Sequence, residues 1–378
     1  MKRRISHSYI ENIRIEKTGI WVVAFAWLSI NLGLYWLYGI QTGLESKKYI
    51  NEANLFFETG HVSEFRYYFY FGIIGLLYIT KLIGFGIKSA IGIQLIISLC
   101  AHLYLYKSLL TYTTSKISIT AIVLIILAPS FEYWNWTLYS ESIFFSAIMI
   151  FIGACIRRTP TELKIITSQG LILVFCILSR PSGILLAIPW ILFVIQTNVN
   201  KWSWRIAGLS LFTGTVALIA VSNAILGTIG DWNVMDPYKK GYVICNISVY
   251  STDRNYLLEA TSPIGQLIEF VLKYPSEFIS LTVDKFIAFF LQYRSYYSPL
   301  HNGYVIFYSL ITLGLFTRRT FYEFKISPIT TMFYLSITLW TISIILQCDD
   351  YHSRFYSAIV PFIVLAGINQ TSRSNSKS

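Results

Sequence analysis

Apolar residues in this chain gather into long, almost unbroken runs rather than an alternating pattern. Runs near the length that crosses a bilayer as a helix, about 17 to 25 residues, occupy residues 18–40, 90–106, 117–130, 138–156, 165–179, 183–196, 205–229, 303–316, 328–347 and 355–369. Two further stretches, 67–83 and 275–292, are amphipathic or interrupted by charge, so they read as spans, re-entrant pieces or helices in the interface. The pattern predicts an all-α polytopic membrane protein. About ten to twelve transmembrane helices and some outer juxtamembrane helices form one membrane-embedded domain over residues 1–378.

Charge orients this arrangement, because cytoplasmic loops hold Lys and Arg. Placing the N-terminal segment, the loops 107–116, 157–164, 201–205 and 318–325, and the C-terminal tail inside collects 17 of the 30 basic residues there with only 4 of the 19 acids. Both termini are then cytoplasmic, and the two long loops, 41–68 and 230–303, lie outside. This assignment holds if 67–83 does not cross fully, which makes it an outer juxtamembrane helix. The acids fall on the outer side with none at mid-membrane, which argues against an ion-coupled transporter.

Composition narrows the class further. Charged residues are 13% of the chain and hydrophobic residues 54%, with a mean hydropathy of +0.56. Soluble domains carry about 25% charge, so a disordered or ordinary cytosolic protein is excluded. The net charge of +11 does not signal nucleic acid, because the basic residues punctuate apolar runs instead of lining one soluble face. The first apolar run is longer than a signal-peptide core and has no small-residue cleavage site after it, so it stays as an anchor. A compact chain with short loops points to a bacterial cytoplasmic (inner) membrane. Cys245 and Cys348 both map outside, where a bridge is permitted, but a large membrane core rarely needs one and free thiols are expected.

Four polar clusters fall on the outer side. In the first loop, helical spacing aligns Glu45, Tyr49, Glu52 and Phe56, while Lys47 and Lys48 can meet a lipid phosphate. A carboxylate where the first span emerges can deprotonate a hydroxyl or hold a divalent cation; a solvated loop helix explains the same pattern. The second cluster, from Pro129 to Ser142, sets Glu132 and Glu141 among aromatic residues suited to sugar faces, or to an interfacial belt. Glu141 opens an apolar helix, where the dipole favours its charge. The third is Arg180 between Ser179 and Pro181, an outer arginine that suits an anionic partner or snorkels. The fourth joins Asp349, Asp350, His352 and Arg354, which can bind a metal or sugar phosphate or satisfy one another as a salt-bridged corner.

These pieces together resemble the GT-C superfamily of membrane glycosyltransferases, in particular the group containing protein O-mannosyltransferases and aminoarabinose transferases. Glu45-Ser46-x-x-Tyr49-x-x-x-Ala53 followed by Gly60 is similar to that superfamily's first-loop signature. Tyr139-Ser140-Glu141 opening a helix, Leu178 to Gly183, Tyr274-Pro275 leading a helix towards Phe289, and His352 to Phe355 with Pro361 follow in the family's order. The likeness covers most of the chain. The family usually has Asp where this chain has Glu45.

The resemblance implies a polyprenyl-phosphate sugar as donor, and a hydroxyl of a lipid-linked or envelope glycan as acceptor. Glu45 would be catalytic base or metal-site residue, with Glu141 supporting it. Arg180 and Arg354 would contact the donor phosphate, with Lys47, Lys48, Tyr49, Glu132 and His352 as further substrate contacts. A divalent cation such as Mg or Mn is the implied cofactor, the metal ligands are undefined, and membrane lipids are the other partners. Two alternatives remain at this stage: a polymerase or ligase of lipid-linked glycans, tested by Arg254, and a lipid or solute transporter.

Overall fold

The computed structural model describes residues 7–43, 45–198, 208, 212, 214, 216, 234–249, 254–322, 327–349 and 352–368. Within these residues the ordered elements are helices, and the only β-type contacts are isolated bridges. Where a single domain is expected, the chain divides into two compact units: Met1–Ser63, Tyr67–Gly183 and Gly367–Ser378 form the first, and Glu64–Arg66 with Ile184–Ala366 the second.

The first unit contains α1 (His7–Tyr38), α2 (Glu45–Thr59), α3 (Phe71–Leu82), α4 (Ile87–Leu109), α5 (Ser115–Ile126), α6 (Ser140–Arg157) and α7 (Leu163–Ser179). Helix α1 buries Val23, Trp27 and Asn31, a stripe at four-residue spacing, and exposes Trp21, Phe25, Leu28, Leu32 and Trp36. Helix α6 sits at the centre, buried around most of its circumference. Its Gly153 lies so close to α4 that a Cβ would come within 2.8 Å of the Tyr104 ring. Only a residue without a side chain lets these two helices approach as they do.

In the second unit, α8 (Ala187–Thr197), α9 (Asp236–Lys239), α10 (Pro263–Lys273), α11 (Pro275–Leu291), α12 (Pro299–Tyr322), α13 (Pro328–Leu346) and α14 (Arg354–Gly367) follow in order. Proline opens α10, α11, α12 and α13, the position where its missing N–H would be unsatisfied anyway. Ser262 and Ser327 cap α10 and α13, each accepting from the backbone N–H three residues on. Tyr238, Phe270 and Leu281 form the core of the segment before α12.

Among the described residues, five helices are long and apolar enough to cross a membrane: Glu16–Tyr38, Ile87–Leu109, Ser140–Arg157, Pro299–Phe321 and Pro328–Leu346. Ser115–Ile126, Leu163–Ser179, Pro181–Thr197 and Arg354–Gly367 are apolar but shorter. The expected run over 117–130 yields only the twelve residues of α5, because Pro129 and a left-handed Ser130 end it. The stretch 67–83 gives the twelve-residue α3, about 18 Å long at 1.5 Å per residue and too short to span alone. Most of the expected span over 205–229 lies outside the described residues.

The expectation of free outer thiols is corrected: Cys245 and Cys348 form a disulfide across 103 residues. It sits beside a parallel backbone pairing in which Cys245 N–H donates to Asp349 and Asp349 N–H donates to Val243. A long, helix-poor loop has little core of its own, so the bridge and this pairing fix it to the end of α13.

Candidate functional site

The first loop and the start of α6 are built against each other. After α1, Gly39 takes a positive φ of 61° and turns the chain, and Gln41 N–H then donates to the Trp136 carbonyl at 2.9 Å. Tyr139 sits at the entry to α6, stacked on Trp134. Its hydroxyl accepts from Glu45 N–H at 3.3 Å and donates to the Gly43 carbonyl at 3.5 Å. Two helices thus begin side by side, α2 at Glu45 and α6 at Ser140, each with an acid in its first turn. Helix N-termini favour negative charge, so the positions suit Glu45 and Glu141.

Arg180 reaches this place from the end of α7. Ser179 packs directly on Gly72 of α3, where a Cβ would approach its Oγ to 2.6 Å. The Arg180 guanidinium makes a short ion pair with the fully buried Glu141 carboxylate and contacts Ser140 Oγ at 3.4 Å. Tyr49 lies on the buried face of α2, its ring 5.4 Å from that of Tyr70. Burial first, then Tyr70 and the charges of Glu45 and Glu141, push its hydroxyl well above the usual tyrosine range, while Arg180 pulls the other way. Tyr49 therefore stays protonated as a hydrogen-bond donor. Of the sequence-predicted residues, Glu45, Tyr49, Glu141 and Arg180 come together.

The others are placed differently. Lys47 and Lys48 are exposed on α2. Glu52 is buried and accepts from Ser63 N–H at 2.9 Å, which ties the loop after α2 back to that helix. Glu132 is buried in a separate polar cluster, and its carboxylate accepts from Asn31 Nδ2 at 2.9 Å and Asn135 Nδ2 at 2.6 Å. His102 Nε2 lies 3.1 Å from its other oxygen. The His102 Nδ1 contact with the Ser98 carbonyl, 2.9 Å, makes Nδ1 a donor. The expected substrate contact at Glu132 is thereby replaced by protein partners.

Asn31 lies seven residues, about 10 Å, back from the end of α1, and Glu132 reaches it, so an acid is buried against a helix long and apolar enough to cross a membrane. His102, Asn31 and Ser98 were not singled out in the sequence, since each stands alone in an apolar run. Four-residue spacing of Trp27 with Asn31, and of Ser98 with His102, is the signal that marks them.

In the second unit His352 is exposed and Arg354 half-buried at the start of α14. Asp349 forms a salt-bridged corner with Arg294, 55 residues away, and Gln292 Nε2 donates to it at 3.3 Å. Asp350 lies outside the described residues. Arg254 pairs with Glu277 at 3.6 Å in a partly exposed position.

Glu141 is engaged by Arg180, and among the described residues no three His, Cys, Asp or Glu side chains form a group suited to a metal ion. No family model, curated protein or solved structure matches the chain.

Proposed function

We propose that the chain is a membrane glycosyltransferase that moves a sugar from a polyprenyl-phosphate donor to a hydroxyl of a lipid-linked or envelope glycan on the outer face of a bacterial inner membrane. The observation that carries this reading is the convergence of Glu45, Tyr49, Glu141 and Arg180 from three separated segments. Glu45 is the half-buried acid of the group, whereas Glu141 is fully buried and paired with Arg180.

Glu45 accepts the proton of the acceptor hydroxyl as its oxygen bonds to the anomeric carbon, and the carbon–phosphate oxygen bond breaks with its electron pair leaving on polyprenyl phosphate. The leaving group is an anion at neutral pH and needs positive charge more than a proton. Lys47 and Lys48, exposed beside Glu45, supply it at headgroup level. The Glu141–Arg180 pair holds the start of α6 and the end of α7 together, and protonated Tyr49 donates to a bound oxygen.

The test incubates membranes containing wild type or Glu45→Gln with labelled polyprenyl-phosphate sugars and envelope extract. Transfer should fall by about 10²- to 10⁴-fold, the usual contribution of a general base, while the variant stays folded. Equal transfer by both proteins removes Glu45 from the chemistry. A transporter gains one observation, the buried His102–Glu132 pair between helices, and it predicts movement of a lipid or solute without any covalent product.

A further inference from the structure

We propose that Ser46 contacts a hydroxyl of the donor's sugar and helps select it, an inference that rests on the glycosyltransferase reading. Ser46 follows Glu45 directly and is fully buried, yet its Oγ has no hydrogen-bond partner among the described residues. Buried hydroxyls are nearly always paired, because leaving one unpaired forfeits its hydration without compensation.

Other buried helical serines here show how that pairing is normally achieved. Ser146, Ser179 and Ser336 each donate to the carbonyl four residues earlier, those of Ser142, Phe175 and Met332. Ser46 is the second residue of α2, and four residues earlier the chain is not yet helical. Its position frees the hydroxyl, and none of the described residues takes it up.

The surroundings identify the ligand group. Ser46 lies between Glu45 and, one turn on, Tyr49, which feels the charges of both Glu45 and Glu141 against one Arg180. Around Ser46 the two acids outweigh the one arginine, which suits a neutral sugar hydroxyl, while the donor's phosphate faces the exposed Lys47 and Lys48. Two more orphaned polar atoms flank the same group: Ser182 Oγ, two residues after Arg180, and Trp136 Nε1, whose ring packs against the Tyr49 cluster. Serine both donates and accepts while the indole N–H only donates, and sugar hydroxyls can match either.

The experiment uses the purified full chain in nanodiscs, comparing binding of bare polyprenyl phosphate with a set of polyprenyl-phosphate hexoses and pentoses by ligand-induced thermal shift. Wild type should bind at least one sugar-bearing lipid more tightly than the bare lipid. Ser46→Ala should bind that lipid roughly tenfold more weakly, bind the bare lipid equally well, and melt without ligand at or above wild type. If that variant does not fold, Ser46→Cys, close in size, gives the same comparison. An undiminished sugar preference in a variant overturns the inference while wild-type transfer leaves the parent reading standing. A drop of several degrees in the ligand-free melting temperature assigns the hydroxyl a structural role and also overturns it. Wild type that neither prefers nor transfers any sugar-bearing lipid overturns both.

Discussion

Arg294 and Asp349 are enclosed completely, whereas Arg180 keeps a tenth of its side chain open beside Tyr49 and a half-buried Glu45. Arg294 Nη1 also donates to the carbonyls of Ala288 and Tyr293 at 3.0 and 2.9 Å, so its guanidinium ties loop to helix end. Asp349 takes part in the backbone pairing next to the disulfide. Glu141 instead stands in the first turn of α6, where the dipole supports its charge independently of the arginine. An arginine–carboxylate pair thus makes a clamp where backbone carbonyls and the Gln292 amide also hold it. It makes a site where one partner borders an accessible acid.

Breaking each pair on the arginine side tests that distinction and carries the largest effect. Arg294→Met strands a carboxylate with no exposure, and about 3–5 kcal/mol of stability should be lost. Arg180→Met should lose about 1–3 kcal/mol, since the start of α6 continues to stabilise Glu141, yet it should abolish sugar transfer. Thermal unfolding with parallel transfer assays decides it: equal destabilisation by both variants, with transfer retained in Arg180→Met, would make the two pairs equivalent clamps.

Much of the first-unit site was legible because its residues obey local rules. Glu45 opens α2, a left-handed Gly60 closes it, and Glu141 opens α6 as the helix-start pattern indicates. The proline starts of α11, α12 and α13 were equally local. The clamp was not legible, since Arg294 lies 55 residues from Asp349 and Cys245 lies 103 from Cys348. No periodicity connects such distant positions. Helix lengths were overestimated for a different reason: hydropathy ignores a backbone break such as Pro129, so one apolar run became a short helix and a turn. The polar cluster around Glu132 was missed because single polar residues in apolar runs look like tolerated exceptions until three helices bring them together.

Lys285 sharpens the picture of the second unit through pH. Its ammonium is fully buried on α11, 4.2 Å from the Tyr238 ring centroid and donating to the Ile345 carbonyl at the end of α13. Burial pushes it down to about 7 from the usual lysine value of 10.5. Between these values the unfolded chain holds a proton that the folded chain has released, so stability rises with pH from about 7 to about 10. Below about 7 both states are protonated and the full cost of burying the charge remains. Unfolding of wild type and Lys285→Met across pH 6 to 10 should show a slope in wild type of up to about 1.4 kcal/mol per pH unit that the variant lacks. Parallel pH profiles would mean that Lys285 does not titrate in this window.

The smallest effect belongs to Tyr139, whose hydroxyl joins the loop before α2 to the start of α6. Tyr139→Phe keeps the stacking on Trp134 and removes two long neutral hydrogen bonds, so about 1 kcal/mol of stability should be lost. If the hydroxyl serves only to close the loop, transfer should change no more than stability does. If it orients Glu45, transfer should fall about tenfold, because a catalytic group displaced by a fraction of an ångström loses more rate than the protein loses stability. The loss should appear in kcat with KM unchanged, since the acceptor's proton and not its binding is affected. A rise in KM with kcat preserved would instead make Tyr139 part of the substrate-binding surface and leave Glu45 positioned by α2 alone.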